Sequence, residues 1–510
     1  MARTPIAAAV AISWVWLWTA PAAGGTVTVE GQAPGPTPFL AVLELAVDDP
    51  GALRSVEVVI EPKPGSAARP IGARYTRSYL EARGYLDPQT GSLALPVFGL
   101  YAGFDNSVAL KATFRGSRAS RVTVEVPTPA WDDPSGVYAN PTVVQPRAPA
   151  DRLSYDYVLL KGYVEGLSPV IVDTDGEVRW VGTAGASSQP AILFENGIYV
   201  GDGTRLVRME LDGTSRDLAD YADLGVVQFH HNFDPGKRGI LVQVDTADAI
   251  ESVILEVDAS GDVLETWDMN EIVGSAMQAG GDDPSGFVKE GVDWFHSNAV
   301  AYDPSDDTLL VSSRESFVIA IDYDTGTIRW ILGDPAKSWY QYPSLRRFAL
   351  ELGSDTLPPI GQHALSVAGR ELLLFDNGSN SQNHTPAGES RDYSAARRYR
   401  IDPRRGRATE TWTYVAEPPI YSPFCSSIYR DRRKDYLLDY SLAGPFLSTD
   451  VVGLTRRGAV AFHYSYPILD GCSIAWNAIP IHLEKLVFRD PPPTPAASAA
   501  RAPRTARPGR

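Results

Sequence analysis

Apolar and polar residues alternate at every second position in a succession of short runs, the period of a half-buried β-strand. Between residues 24 and 128 these runs include Thr26-Val27-Thr28-Val29, Ser55-Val56-Glu57-Val58-Val59-Ile60, Val108-Ala109-Leu110-Lys111-Ala112 and Val122-Thr123-Val124-Glu125-Val126. Turn residues part them at intervals that suit a small antiparallel sandwich, so the spacing predicts an N-terminal β-sandwich domain over 24–128. Proline-rich sequence follows, and 129–150 reads as a linker.

From 151 to 490 the pattern turns repetitive. A strand, a tight turn ending in glycine and a second strand appear in Val170-Ile171-Val172-Asp173-Thr174-Asp175-Gly176-Glu177-Val178-Arg179-Trp180 and recur with turn glycines at Gly213, Gly261, Gly326, Gly406 and Gly458. In several copies the second strand carries a tryptophan at its end: Trp180, Trp267, Trp330 and Trp412. Each hairpin follows another strand pair, so each unit holds about four strands. Solenoid coils would be shorter and more regular, and tandem sandwiches would each need a core within too few residues. Radial repetition buries both faces of such sheets, and the pattern predicts an all-β fold: a six-bladed β-propeller over 151–490, preceded by the small N-terminal β-sandwich domain.

Composition agrees with a turn-rich β-protein, with 44 Gly, 40 Pro, 11 Trp and 23 Tyr in 510 residues. Residues 6–20 form an apolar run behind Arg3, too short to span a bilayer, and Ala20-Pro21-Ala22 offers a small-x-small cleavage site. Residues 1–23 therefore read as a signal peptide and the mature chain as periplasmic or secreted, without stable membrane insertion. The Pro/Ala/Arg-rich segment 491–510 reads as a disordered tail. The net charge is −16, and losing Arg3 and the four tail arginines leaves the folded body more acidic still. Such a field argues against nucleic acid as a partner, and an anionic substrate requires a local positive site. Cys425 and Cys472 are the two cysteines, which pair in an oxidising compartment or stay as two separate buried thiols; their spacing fits no zinc-ligand pattern.

Three of the seven histidines open three of the repeated strand pairs. His231-Asn232-Phe233 leads to Ile240-Leu241-Val242-Gln243-Val244, His296-Ser297-Asn298 to Leu309-Leu310-Val311, and His363-Ala364-Leu365 to Leu372-Leu373-Leu374-Phe375. The first and third align without a gap. First strands line a propeller's central channel, so the three imidazoles are expected to converge at one mouth. Asn298 lies on the same side of its strand as His296 by period-two alternation, and Arg314 follows Leu309-Leu310-Val311-Ser312-Ser313 in the same unit. His230 competes with His231 for the functional position, and the gapless alignment favours His231. Three histidines suit a zinc ion with an open position, but a fixed guanidinium beside it repels the metal. A tetrahedral oxyanion suits the whole set, with Arg314 as forked donor, Asn298 and histidine as further donors, and one imidazole free to attack. Phosphoryl or sulfuryl transfer follows, with no metal or other cofactor in the scheme. As structural alternatives, Arg314 could pair with Glu315 or Asp293, His384 reads as a surface-loop residue, and His463 and His482 as structural residues. Among the aromatics, residues 339–342 are the stronger candidates for a substrate wall, with Trp294 and Trp330 packing between blades.

Trp294-Phe295-His296-Ser297-Asn298-Ala299-Val300-Ala301-Tyr302-Asp303, with Ser312-Ser313-Arg314 and Ile328-Arg329-Trp330-Ile331-Leu332-Gly333, resembles the bacterial arylsulfate sulfotransferases. So do His230-His231-Asn232, Gln362-His363 with Phe375-Asp376-Asn377-Gly378, and Val97-Phe98-Gly99-Leu100-Tyr101-Ala102-Gly103-Phe104-Asp105-Asn106. The resemblance implies ping-pong transfer of a sulfuryl group from a phenolic sulfate ester to a phenolic acceptor, without a nucleotide donor or metal. It makes His363 the nucleophile, transiently sulfated; His296, Asn298 and Arg314 the holders of the sulfuryl oxygens; and His231 the group that protonates the departing phenolate. This chain departs from the family in having Asn232 and Ala364 where an aspartate is frequent after the first and third histidines. That departure keeps open a non-catalytic propeller binding a sulfated or phosphorylated aromatic, and the architecture also suits a metal-dependent lactonase or esterase.

Overall fold

The computed structural model describes residues 25–116, 118–150, 152–164, 166–183 and 190–489. The segments read as a signal peptide, 1–23, and as a disordered tail, 491–510, lie outside the described residues. The chain is all-β with a few short helices, the longest of those described being Met269–Ala279. Among the described residues no helix is long and apolar enough to cross a membrane.

Two sheets built mainly from N-terminal strands share one apolar core. One joins Val27–Pro34, Leu40–Val47 and Ser92–Phe98; the other joins Ile71–Thr76, Leu53–Ile60, Asp105–Phe114 and Ser120–Pro127, with Leu486–Phe488, from within the segment read as the propeller, pairing parallel with Ile71–Thr76. Asp105–Phe114 buries every second residue, as its sequence alternation requires. Leu43, Leu45, Val56, Val58, Leu93, Leu95, Val108 and Leu110 form their common core, which continues into Tyr157, Ile171 and Trp180.

Six further sheets of four or five strands follow in chain order, antiparallel except for the short edge strand Glu351–Leu352, which pairs parallel with Arg407–Tyr414. Their first strands are Asn477–Ile481, Ala191–Phe194, Val226–Pro235, Ser297–Asp303, His363–Ala368 and Ser427–Arg430. From the third sheet onward each first strand packs against the first strand of the next, ending with Ser427–Arg430 against Asn477–Ile481. Asn477–Ile481, near the end of the chain, pairs antiparallel with Tyr157–Lys161, near the start of the repeats. The first sheet is thus completed from both ends of the repeat region.

The repeat signals have direct structural counterparts. Gly176, Gly213, Gly261, Gly326, Gly406 and Gly458 all stand in the turn before the last strand of their sheet, with φ between +59° and +91°. That region is open to glycine without steric cost. The tryptophans of the last strands pack onto the next sheet: Trp180 Nε1 donates to Leu211 O and Trp267 Nε1 to Tyr323 O, while Trp412 stacks on Tyr436 at 4.7 Å. Within the stretch read as a linker, Thr142–Gln145 pairs with Val460–Pro467 as a fifth strand of the sixth sheet. Pro141 and Pro146 flank it, which an edge strand tolerates because its outer side needs no donors. Arg147 and Asp156 add a buried ion pair of 2.6 Å beside it.

Candidate functional site

The site stands where the histidine-bearing first strands begin. His231, His296 and Ala364 have φ of +53°, +54° and +52°, and the ladder register slips at the same places, between Phe229 and Phe233, Ser297 and Ala299, and His363 and Ser366. Left-handed backbone at non-glycine residues costs on the order of 1–3 kcal/mol each and persists only where the surroundings impose it. Three consecutive sheets impose it at one end. The bulge of the third sheet is pinned from the first: Lys161 Nζ donates to Asn232 Oδ1 at 2.5 Å and to Phe233 O at 3.3 Å. Asn232 Nδ2 donates in turn to Asp234 Oδ1 at 2.9 Å.

These kinks bring the expected imidazoles together. The His231 ring lies 4.8 Å from that of His296 and 6.3 Å from that of His363. His230 shares the site: its Nδ1 is 2.9 Å from His231 Nδ1, one of the pair donating to the other. Arg314 is in the turn after Thr308–Ser313, its backbone N–H donating to His296 O at 3.0 Å. Its guanidinium is 2% exposed, pairs through Nη1 with Glu315, lies 5.0 Å from the centre of the Phe424 ring, and has no protein partner at Nη2. Asn298 Nδ2 commits one hydrogen to Gln362 O at 2.8 Å, next to His363.

The imidazoles differ in charge because their surroundings differ. His363 is held down to about 3, chiefly by burial and also by Arg314, against the Asn377 hydrogen bond, which acts the other way. Burial likewise holds His231 well below its ordinary value, helped by His296, His230, His363 and Arg314. Burial also lowers His230. At His296 burial opposes the charge, but Asp293 Oδ2 at 2.6 Å and Glu251 Oε2 at 2.7 Å outweigh it and raise the ring to about 9. Near neutral pH the site therefore holds one imidazolium, His296, beside three neutral imidazoles, His230, His231 and His363.

The tautomer of His363 follows from its neighbour. Asn377 Nδ2 donates to Ser422 O at 2.8 Å and Cys425 O at 2.9 Å, so its Oδ1, 2.8 Å from His363 Nδ1, must accept. His363 then carries its proton on Nδ1 and its lone pair on Nε2. Asn377 orients His363 as a carboxylate would but adds no negative charge, whereas Glu251 and Asp293 both hold His296 and charge it.

Arg314 was expected here from the sequence, whereas the parts played by Glu251 and Asn377 escaped it. Glu251, Arg314, Asn377 and residues 443–447 all lie between the second and third strands of their sheets, in the third, fourth, fifth and sixth sheets respectively. That shared position is the signal that could have found them. His384, expected on a surface loop, is instead 7% exposed, stacked on Phe287 at 4.7 Å and bonded through Nε2 to Trp294 O at 2.7 Å. Its loop needs that anchor, because Ser381 Oγ and the backbone N–H groups of Gln382 and Asn383 donate to Glu315, the partner of Arg314. Trp339, expected in a substrate wall, is buried with Nε1 donating to Asp334 O at 2.9 Å, and packs edge-on against Phe317. Filling the core beneath helix Met269–Ala279 removes it from the mouth. The aromatic ring actually beside the histidines is Trp476, 4.9 Å from His231 and 6.4 Å from His363. Cys425 and Cys472 form a disulfide next to it. Among the described residues, those that could hold a metal are two overlapping groups, His230–His231–Glu251 and Glu251–Asp293–His296, the ligand atoms of each lying within 4.8 Å of one another.

The arylsulfotransferase (ASST) family model matches residues 147–457, more than half of the chain. The arylsulfate sulfotransferase AssT of Escherichia coli O6:H1 (strain CFT073) is 29% identical over 226 residues, covering 35% of this chain and 37% of that protein. The protein of the same name from Lelliottia amnigena is 28% identical over 247 residues, covering 38% and 40%. The chain spans 37–40% of the length of these curated relatives. Similar solved structures include BamB from Moraxella catarrhalis, at 12% identity and TM-score 0.27 over 72% of this chain and 94% of that one. The Cps50 (Swd1) β-propeller domain of Myceliophteria thermophila is 11% identical with TM-score 0.31 over 57% and 78%. The family match spans the third, fourth and fifth sheets and with them every histidine of the site, and on it the chain belongs to the arylsulfotransferase family.

Proposed function

We propose that the six sheets are the blades of a six-bladed β-propeller behind a small β-sandwich, and that its mouth moves a sulfuryl group from a phenolic sulfate ester to a phenolic acceptor. The observation that carries this reading is the neutral, buried His363, its Nδ1–H held by Asn377 and its Nε2 lone pair left to attack, in one site with the cations of His296 and Arg314. In the first half-reaction Nε2 bonds to sulfur, the bond from sulfur to the aryl oxygen breaks, and its electron pair leaves on the phenolate. The His296 imidazolium, the unpartnered Arg314 Nη2 and Asn298 hold the sulfuryl oxygens, compensating charge in a site that excludes water. The phenolate leaves as the anion and takes its proton from water once released; in the second half neutral His231, whose Nε2 has no protein partner, takes the proton of the incoming phenol and returns it to water. Proton transfer of this kind contributes about 10²–10⁴-fold in rate. In the second half the acceptor oxygen bonds to sulfur, the bond from sulfur to nitrogen breaks, and His363 returns neutral.

The disulfide supports a protein that matures in an oxidising compartment, in keeping with the reading of 1–23 as a signal peptide. The test is incubation with 4-nitrophenyl sulfate, with and without phenol. Phenol-dependent release of nitrophenol and one added sulfuryl group in the intact mass of the protein, absent from His363→Asn, are the expected results. A protein that binds the ester but never gains that mass is a receptor, and full turnover in His363→Asn removes the nucleophile assignment.

A further inference from the structure

The sixth sheet treats its mouth-side turn differently from its neighbours. Between second and third strands, the third sheet places Glu251, the fourth Arg314 and the fifth Asn377, all polar and all engaged with the site. The sixth places Phe446 and Leu447 there, 53% and 73% exposed, and Leu469 beside them is 52% exposed. Ile468 N–H donates to Leu447 O at 3.3 Å, so the two segments adjoin. Phe446 has φ of +65°, a left-handed residue in the turn that displays these side chains outward.

This patch does not end at the surface. Ile468, Phe424 and Trp476 pack together on Leu442 and the Cys425–Cys472 bridge. Trp476 then reaches the His231 ring, and Phe424 covers the guanidinium of Arg314. An apolar path therefore runs from Leu447 and Leu469 in solvent, past Ile468 and the disulfide, to the histidines. Exposed apolar side chains in a contiguous group mark a binding surface, and continuity with the reacting centre says what it binds.

We infer that this path is a subsite for the apolar body of the substrate, and that the substrates are phenols and phenol sulfates extended by an alkyl chain or further ring. The inference rests on the sulfuryl-transfer reading for its chemistry but not for its binding. The reacting oxygen sits among His231, His296 and His363, the first ring lies against Trp476, and the extension follows Ile468 toward Leu447 and Leu469.

The test pairs phenol with 4-pentylphenol as acceptors, using 4-nitrophenyl sulfate as donor. Each methylene buried on the path raises kcat/KM about fourfold, so 4-pentylphenol is expected to exceed phenol by well over tenfold. Leu447→Ser/Leu469→Ser changes two exposed side chains outside the catalytic set. It is expected to cut that preference at least tenfold and leave phenol turnover as it was. Equal kcat/KM for the two acceptors, or a preference that survives in the double variant, overturns the inference and leaves sulfuryl transfer standing. If no phenol is sulfated, the transfer reading fails, and calorimetric titration with 4-pentylphenol and phenol decides the subsite alone by the same ratio. A dimer in sedimentation velocity that the double variant dissociates, with selectivity unchanged, assigns the patch to a second copy and overturns it.

Discussion

Replacing Asn377 should disable the nucleophile without touching the substrate. Its side chain makes three hydrogen bonds in a fully buried place: acceptance from His363 Nδ1 at 2.8 Å and donation to the carbonyls of Ser422 and Cys425 at 2.8 and 2.9 Å. In Asn377→Ala both carbonyls lose that donor, at about 1–3 kcal/mol each, so part of the effect falls on stability and folded protein must be quantified by thermal unfolding. The catalytic effect is separable. Gly361 O, 3.1 Å from Nδ1, still accepts the proton, which limits the tautomer loss to well below the roughly 10⁴-fold seen where a histidine orienter is lost outright. We expect a 10–100-fold fall in the rate of nitrophenol release in the first turnover, with KM for the donor changed less than threefold. Asn377→Asp separates orientation from packing. A carboxylate at this distance favours the imidazolium, so the acid limb of the pH–rate profile, set in the wild type by a ring held down at about 3, must move up into the assay range. A structural role alone would leave that limb in place. Unchanged first-turnover rates in Asn377→Ala, or an unmoved acid limb in Asn377→Asp, would refute the assignment.

Stability should respond to pH through the same rings. His363 is protonated in the unfolded chain near its ordinary 6.5 but only at about 3 in the fold, so its contribution is present above 6.5 and is lost as pH falls toward 3. His296, raised to about 9, does the reverse: its contribution is complete below 6.5 and disappears as pH rises through 9. Urea unfolding of wild type against His363→Asn and His296→Asn across that range checks both signs, and parallel curves would contradict them. Arg314→Met should destabilise by about 3–5 kcal/mol by stranding the buried Glu315 charge; adding Glu315→Gln should recover most stability in a urea titration and none of the turnover. Reducing the Cys425–Cys472 bridge, which closes a loop of 47 residues, should remove about 4 kcal/mol by the chain-entropy model. It should also slow the first turnover, since the Cys425 carbonyl anchors Asn377. Dialysis against EDTA should leave turnover unchanged, because Glu251 and Asp293 lie at hydrogen-bond distances from His296 Nδ1; loss of activity restored by a divalent metal would move the reading to a metal-dependent hydrolase.

Period and turn chemistry are local properties, and what they control was legible before any coordinates. The alternation in Asp105–Phe114, the glycine turns from Gly176 to Gly458 and the tryptophans of the last strands all do what their sequence context requires. Repetition also told which histidines are equivalent, because equivalence needs only alignment. Trp339 and His384 were misread for one reason: residues in irregular segments carry no period, and nothing in their spacing says whether a loop folds inward. The segment 129–150 was read by its prolines, whereas a partner strand of the sixth sheet decided its conformation.

The sequence by itself determined an all-β chain of repeated strand pairs with three equivalent histidines and one arginine available for an oxyanion. Only the tertiary structure decided what those histidines are. Charge and tautomer depend on groups brought from other sheets: Glu251 and Asp293 make His296 a cation, Asn377 leaves His363 a lone pair on Nε2, and Lys161 reaches from the first sheet to pin the bulge beside His231. Electrostatics and desolvation act through space at a few ångströms. These groups lie far apart along the chain and meet only when the sheets assemble.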